Sequence, residues 1–182
     1  MPEQKYATAQ PLIKKIADWA ASRPLSRIHA HKGGWEGYAQ VELAIYLEDQ
    51  LGGNVAREEV VYEDVKDADK DETRADIVYT PFGGSPYIIE LKCESLLQDW
   101  SNDSFANRIL SDMIKCDTEY TARAVEYKNT PALAIGICVH EPSINDAIEI
   151  FENSAFGYIK TTYWTRAYDA ENGPMVFFTV FE

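Results

Sequence analysis

Two short apolar runs, 74–80 and 87–93, bracket the turn-rich stretch Pro81-Phe82-Gly83-Gly84-Ser85-Pro86, a pattern that reads as a β-hairpin. A strand sends alternate side chains to opposite faces, so Ile89 and Leu91 point one way while Glu90 and Lys92 point the other. Folding the hairpin symmetrically about Gly83 sets Asp76 directly opposite Glu90, because each lies seven residues from that turn. A slip of one residue would put the two acids on different faces. Carboxylates facing each other with Cβ atoms roughly 5 Å apart repel unless a cation lies between them. Hard oxygen ligands of this kind suit Mg²⁺ or Mn²⁺ better than zinc, and Lys92 stands ready beside them to offset developing negative charge.

The rest of the chain supplies a frame for that hairpin. Leu12, Ile13, Ile16, Trp19 and Ala20 recur at helical spacing in an N-terminal helix of about residues 8–23, which stops before Pro24. A second helix begins near Trp35, after Gly33-Gly34, and ends at Gly52-Gly53; Glu36, Gln40, Leu43, Leu47 and Leu51 share one stripe of it. Glu42, the other acid on that helix, is rotated away from the stripe. A strand over 54–62 precedes the hairpin, and a helix from Ser101 to about Lys128 follows it, turning Phe105, Ile109, Met113, Ile114, Tyr120 and Ala124 inward. The continuous apolar run 132–139 reads as a buried strand. A short helix near 144–151 and two late strands, 158–165 and 175–181, complete the chain as a C-terminal hairpin at about 158–182. With no repeat and no long linker, all 182 residues are expected to form one α/β domain, a mixed central sheet flanked by helices, its core at about 35–140.

Asp76 followed by Glu90-Leu91-Lys92, preceded by a Glu-bearing helix and followed by a helix and a strand, resembles the PD-(D/E)XK nuclease superfamily. The αβββαβ core of that family, the restriction-endonuclease-like fold, has the order read here from Trp35 to Val139. The resemblance implies hydrolysis of phosphodiester bonds, DNA foremost, with Mg²⁺ or Mn²⁺ as cofactor. It implies Asp76 and Glu90 as metal ligands, Lys92 as the catalytic lysine, and Glu36 as the helix acid that assists at the metal, Glu42 being the alternative. Lys92→Ala is then expected to abolish cutting with little effect on thermal stability. The family's Pro before the Asp is Ala75 here, which leaves an ordinary strand residue and keeps the carboxylate.

Charge points the other way. Seventeen Lys and Arg against 30 Asp and Glu give a formal net charge of −13, which disfavours non-specific attraction to nucleic acid or to an anionic membrane. The competing class is therefore a catalytically inactive, nuclease-fold interaction protein, immunity-like or an assembly partner, whose acidic surface docks a basic protein or a second copy in a homodimer. Arg57, Arg74, Arg108, Lys115 and Arg123 could supply local phosphate contacts but read equally well as ordinary ion pairs. Asp112 and Lys115 read as solvent-facing charges.

Cys93, Cys116 and Cys138 form neither a C-x-x-C pair nor an even set, so no disulfide framework or zinc site is expected. The polar N-terminus and the lack of a long apolar run give an expectation of an intracellular protein, cytoplasmic or nuclear, without signal peptide or membrane span. His29 and His31 form an H-x-H pair without a third ligand nearby and read as structural. Asp67, Asp69 and Asp71 imitate the start of a calcium loop, but Glu72 stands where its Gly belongs. Tyr158, Tyr163, Trp164 and Tyr168 read as packing on late strands rather than as a base-stacking platform.

Overall fold

The computed structural model describes residues 9–30, 34–63, 73–95, 104–153, 163–166 and 173–181. In chain order its elements are α1 (Gln10–Ser22), α2 (Leu25–His29), α3 (Glu36–Leu51), β1 (Asn54–Val60), β2 (Arg74–Thr80), β3 (Tyr87–Cys93), α4 (Phe105–Cys116), β4 (Ala132–Cys138), α5 (Glu141–Asn153), β5 (Tyr163–Arg166) and β6 (Met175–Phe181). His31, the 67–71 aspartates, Tyr158 and Tyr168 lie outside the described residues, as do the side chains of Tyr163 and Trp164.

The strands form one mixed sheet in the order β1-β2-β3-β4-β6-β5. Its first three strands are an antiparallel meander. The chain then crosses through α4 to β4, which runs parallel to β3, and β6 and β5 add antiparallel strands beyond it. The hairpin register is the one centred on Gly83: Ile77 pairs with Ile89 and Tyr79 with Tyr87.

Apolar side chains cover both faces of the sheet. Ile77, Tyr79, Ile89, Leu91, Leu133 and Ile135 pack under α1 and α3, while Val78, Ile88, Ala132, Ala134 and Phe177 pack under α4 and α5. With helices on both sides, β4 is buried at every residue, hence its unbroken apolar sequence. Pro11 sits in the first turn of α1, where its missing N–H costs nothing, and the helix stops at Ser22 ahead of Pro24. α3 turns into β1 through Gly52 and Gly53, both at positive φ. A Cβ on Gly53 would collide with the Thr80 carbonyl oxygen.

Local structure departs from expectation in three places. The helix expected to reach Lys128 ends at Cys116. Asp117 there turns extended and its carboxylate accepts from the Glu119 N–H, an alternative to helical bonding that Asp offers readily. The following segment pairs elsewhere, with Ala124 N–H donating to the Val61 carbonyl and Glu63 N–H to that of Ala122. Tyr120, expected inward, is 63% exposed in consequence. α2 was not foreseen, and β1 ends at Val60, short of Tyr62. No helix among the described residues is long and apolar enough to cross a membrane.

Candidate functional site

The charged residues of the hairpin lie where β2 parts from its neighbours. β1 pairs with β2 on either side of Asp76, through Arg57–Ile77 and Glu59–Ala75, but not at Asp76 itself. Opposite it, Glu58 adopts a φ of 54°, a conformation uncommon for a residue with a side chain and one that tends to mark functional sites. Strict alternation breaks at this point: Ala75 packs in the α4 layer, as Val78 does, while Ile77 packs in the α3 layer. The Asp76 carboxylate is thereby freed to accept from the Leu91 N–H (2.7 Å) and from Gln40 Nε2 of α3 (2.8 Å). Gln40 is held in turn by Arg57, at 2.9 Å.

Glu90 is only 1% exposed. The Tyr62 hydroxyl donates to its Oε1 at 2.7 Å and Lys115 Nζ to its Oε2 at 3.0 Å. Lys92 Nζ donates to Glu36 Oε1 at 3.0 Å and lies 3.7 Å from Asp112 Oδ2. Glu36 Oε2 takes the Cys93 N–H, at 3.0 Å. Three elements distant in sequence, α3, the β2–β3 hairpin and α4, thus converge on one cluster of ionisable groups.

Four carboxylates, Glu36, Asp76, Glu90 and Asp112, meet two ammonium groups, Lys92 and Lys115. Two negative charges are in excess in a poorly solvated place. Burial, with Asp76 and Asp112 adding to it against Lys115, pushes the Glu90 carboxyl up to about 8. Burial likewise raises Asp112 to about 6, with Lys92 opposing and Asp76 adding. Asp76 is raised mainly by burial, against the Leu91 N–H and Lys92. Burial alone would lower Lys92, but Asp112 and Glu36 hold its ammonium above the ordinary lysine range, so it stays charged. Burial and crowding thus shift Asp76, Glu90 and Asp112 all in the same direction, toward the protonated form.

Asp76, Glu90, Lys92 and Glu36, singled out in the sequence, therefore lie together, and Glu42 does not join them: it pairs with Arg23 at 3.3 Å on the far side of α3. One expectation needs correction. Asp112 and Lys115 are not solvent-facing; their side chains are 13% and 21% exposed and both enter the cluster. The signal was present for Asp112, which lies seven residues, two helical turns, after Phe105 and so on the inward stripe of α4. Glu36 keeps its oxygens on β3, Oε1 on Lys92 Nζ and Oε2 on the Cys93 N–H. Tyr62 was missed altogether. Gly136, opposite Lys92 in the parallel register, admits α4 to this depth, for a Cβ there would collide with Ile109 and approach Phe105 Cζ to 3.1 Å.

The remaining candidates have other tasks. Arg123 is buried and donates to the Thr130 and Cys116 carbonyls, Arg108 donates to the Cys93 carbonyl and Arg74 to that of Glu58. His29 lies 3.7 Å from buried Glu94 and stacks on His140. Burial would raise the Glu94 carboxyl, but bonds from Ser143, Cys138 and the Val139 and His140 N–H groups hold it below the usual range. The three cysteines are free and buried.

The donor chemistry of the cluster fits a hard divalent cation. Oxygen is the donor atom throughout, and Asp112 Oδ2 is shielded from water with no hydrogen-bond partner among the described residues. No three His, Cys, Asp or Glu side chains among the described residues are arranged to hold an ion by themselves. A site here would rest on two carboxylates, Asp76 and Glu90, with water and substrate completing the shell, an arrangement Mg²⁺ commonly adopts. No family model, curated protein or solved structure matches the chain.

Proposed function

We propose that the chain is a divalent-metal-dependent phosphodiesterase of restriction-endonuclease-like fold that hydrolyses nucleic acid, DNA foremost. One observation carries the reading: an excess of carboxylates is buried around a charged lysine at the place where β2 leaves β3. Burying unbalanced charge costs stability, and an arrangement with no return in stability points to function. The order α3-β1-β2-β3-α4-β4, with β3 and β4 parallel, supports it as the αβββαβ core the resemblance implies.

Asp76 and Glu90 would hold the ion. When bound, Mg²⁺ supplies Lewis-acid polarisation of a phosphoryl group and a more acidic water. Asp76 is preorganised for its part by Leu91 and Gln40. Glu36 and Asp112 anchor the Lys92 ammonium and keep it protonated, so that it can orient water and stabilise negative charge developing on the phosphoryl oxygens. Glu36 acts here by positioning Lys92.

The test is cleavage of plasmid DNA and of a labelled RNA with and without Mg²⁺ or Mn²⁺. Cutting that requires the ion and is lost in Asp76→Asn is the expected result; a pure, folded protein that cuts neither substrate with either ion overturns the reading. A second reading, the non-catalytic docking protein, has one feature in its favour besides net charge. The outer face of α3 exposes Tyr38, Val41 and Ile45 at helical spacing, beside exposed Glu48 and Asp49, as a basic amphipathic partner would require.

A further inference from the structure

Lys115 sits on Glu90 as a metal ion would. Its Nζ donates to Glu90 Oε2 at 3.0 Å and to the Arg74 carbonyl at 2.6 Å, and it lies over the Tyr62 ring, 5.0 Å from the centroid. The Tyr62 hydroxyl engages the other oxygen of Glu90. Both oxygens of a carboxylate almost sealed from water are therefore taken, one by a rigid phenol two residues beyond the first strand, the other by an ammonium on a flexible four-carbon stem. Only the second can be withdrawn by rotation about side-chain bonds.

We infer that Lys115 is the resident counter-ion of the site: its ammonium group occupies the face of Glu90 that a divalent cation needs, and cation binding requires it to leave. This rests on the phosphodiesterase reading and adds a competition to it. An ammonium and a divalent ion sharing one buried carboxylate would repel strongly at such close range, so the two occupants exclude each other. While the ion is absent, the Lys115 ammonium holds Glu90 Oε2 in its place. Once displaced from the last turn of α4, it becomes available to a phosphate oxygen. Lys92 cannot take this part, because its ammonium is bonded to Glu36 and close to Asp112 rather than to Glu90.

Mn²⁺ affinity measured by calorimetry on wild type, Lys115→Met and Lys128→Met tests the competition without recourse to activity. Met keeps most of the apolar stem of Lys115, and Lys128 is an exposed lysine outside the cluster whose loss changes net charge equally. Lys115→Met is expected to bind Mn²⁺ at least about tenfold more tightly than wild type, with Lys128→Met unchanged. Mn²⁺ binding to wild type that Lys115→Met leaves unaltered or weakens, or that both variants tighten equally, overturns the counter-ion role while leaving the phosphodiesterase reading intact. Failure of wild type and Lys115→Met alike to bind millimolar Mn²⁺ overturns that reading and the inference with it. Should Lys115→Met not fold, the side-chain ¹⁵N resonance of Lys115 in wild type gives the answer on Mg²⁺ titration. Displacement shifts that resonance as the melting temperature rises; an unmoved resonance during the same rise overturns the inference.

Discussion

Replacing Glu90 by Gln, in the presence of EDTA, should change how stability depends on pH. Glu90 is almost wholly buried and its carboxyl, ordinarily near 4.5, is raised to about 8, first by burial and then by Asp76 and Asp112 against Lys115. For a group whose folded pKa lies above its unfolded one, the linked stability is complete below the unfolded value and is lost as pH rises through the folded value. Each pH unit within that window is worth about 1.4 kcal/mol. Between pH 5.5 and 8 wild type should therefore lose roughly 2 to 4 kcal/mol relative to Glu90→Gln, whose amide does not titrate. Urea unfolding of both proteins at half-unit steps, read by tryptophan fluorescence, measures the difference directly and cancels every titration the two share. A difference constant to within about 0.5 kcal/mol over that range would show that Glu90 ionises in the fold as it does in the open chain, and the electrostatic account of the cluster would fail.

Further consequences follow from neighbouring contacts. Lys92→Met should reduce cleavage by about two to three orders of magnitude, and because Glu36 and Asp112 lose their common partner, it should also lower unfolding free energy by roughly 1 to 3 kcal/mol. This revises the expectation of unchanged stability; calorimetry showing no fall in melting temperature would contradict it. Tyr62→Phe removes a buried donor to Glu90 and should cost about 1.5 to 3 kcal/mol at pH 8.5, where the carboxylate is charged; chemical denaturation checks the value. Gly136→Ala crowds Ile109 and Phe105 and should destabilise by about 1 to 3 kcal/mol, which urea unfolding measures. Glu36→Gln should impair cleavage and Glu42→Gln should not, since only Glu36 touches Lys92; equal rates for the two variants would remove Glu36 from the machinery.

The hairpin was legible because strand alternation and a glycine turn are local signals. Asp76, Glu90 and Lys92 are separated by distances the hairpin itself sets, and Gly83 centres the observed register. Glu36 and Gln40 were legible for a similar reason, since both lie on the stripe that buries Leu43 and Leu47. Tyr62 and Lys115 were not, because their roles arise from packing between elements. The Arg74 carbonyl and the Glu90 carboxylate come from adjacent strands, and only the seating of α4 against Gly136 brings Lys115 to both. The same cause shortened α4, whose expected continuation bonds instead to the backbone at Val61 and Glu63. At Asp76 the period of two breaks opposite Glu58, which takes a left-handed conformation, and no apolar pattern announces either.

The most direct measurement is a Mn²⁺-soaked crystal read by anomalous scattering at neutral pH. A peak touching both the Asp76 and the Glu90 carboxylates, with Lys115 Nζ withdrawn from Glu90, is the expected result. Density empty at that point under saturating Mn²⁺, with the Lys115–Glu90 contact unchanged, would contradict it.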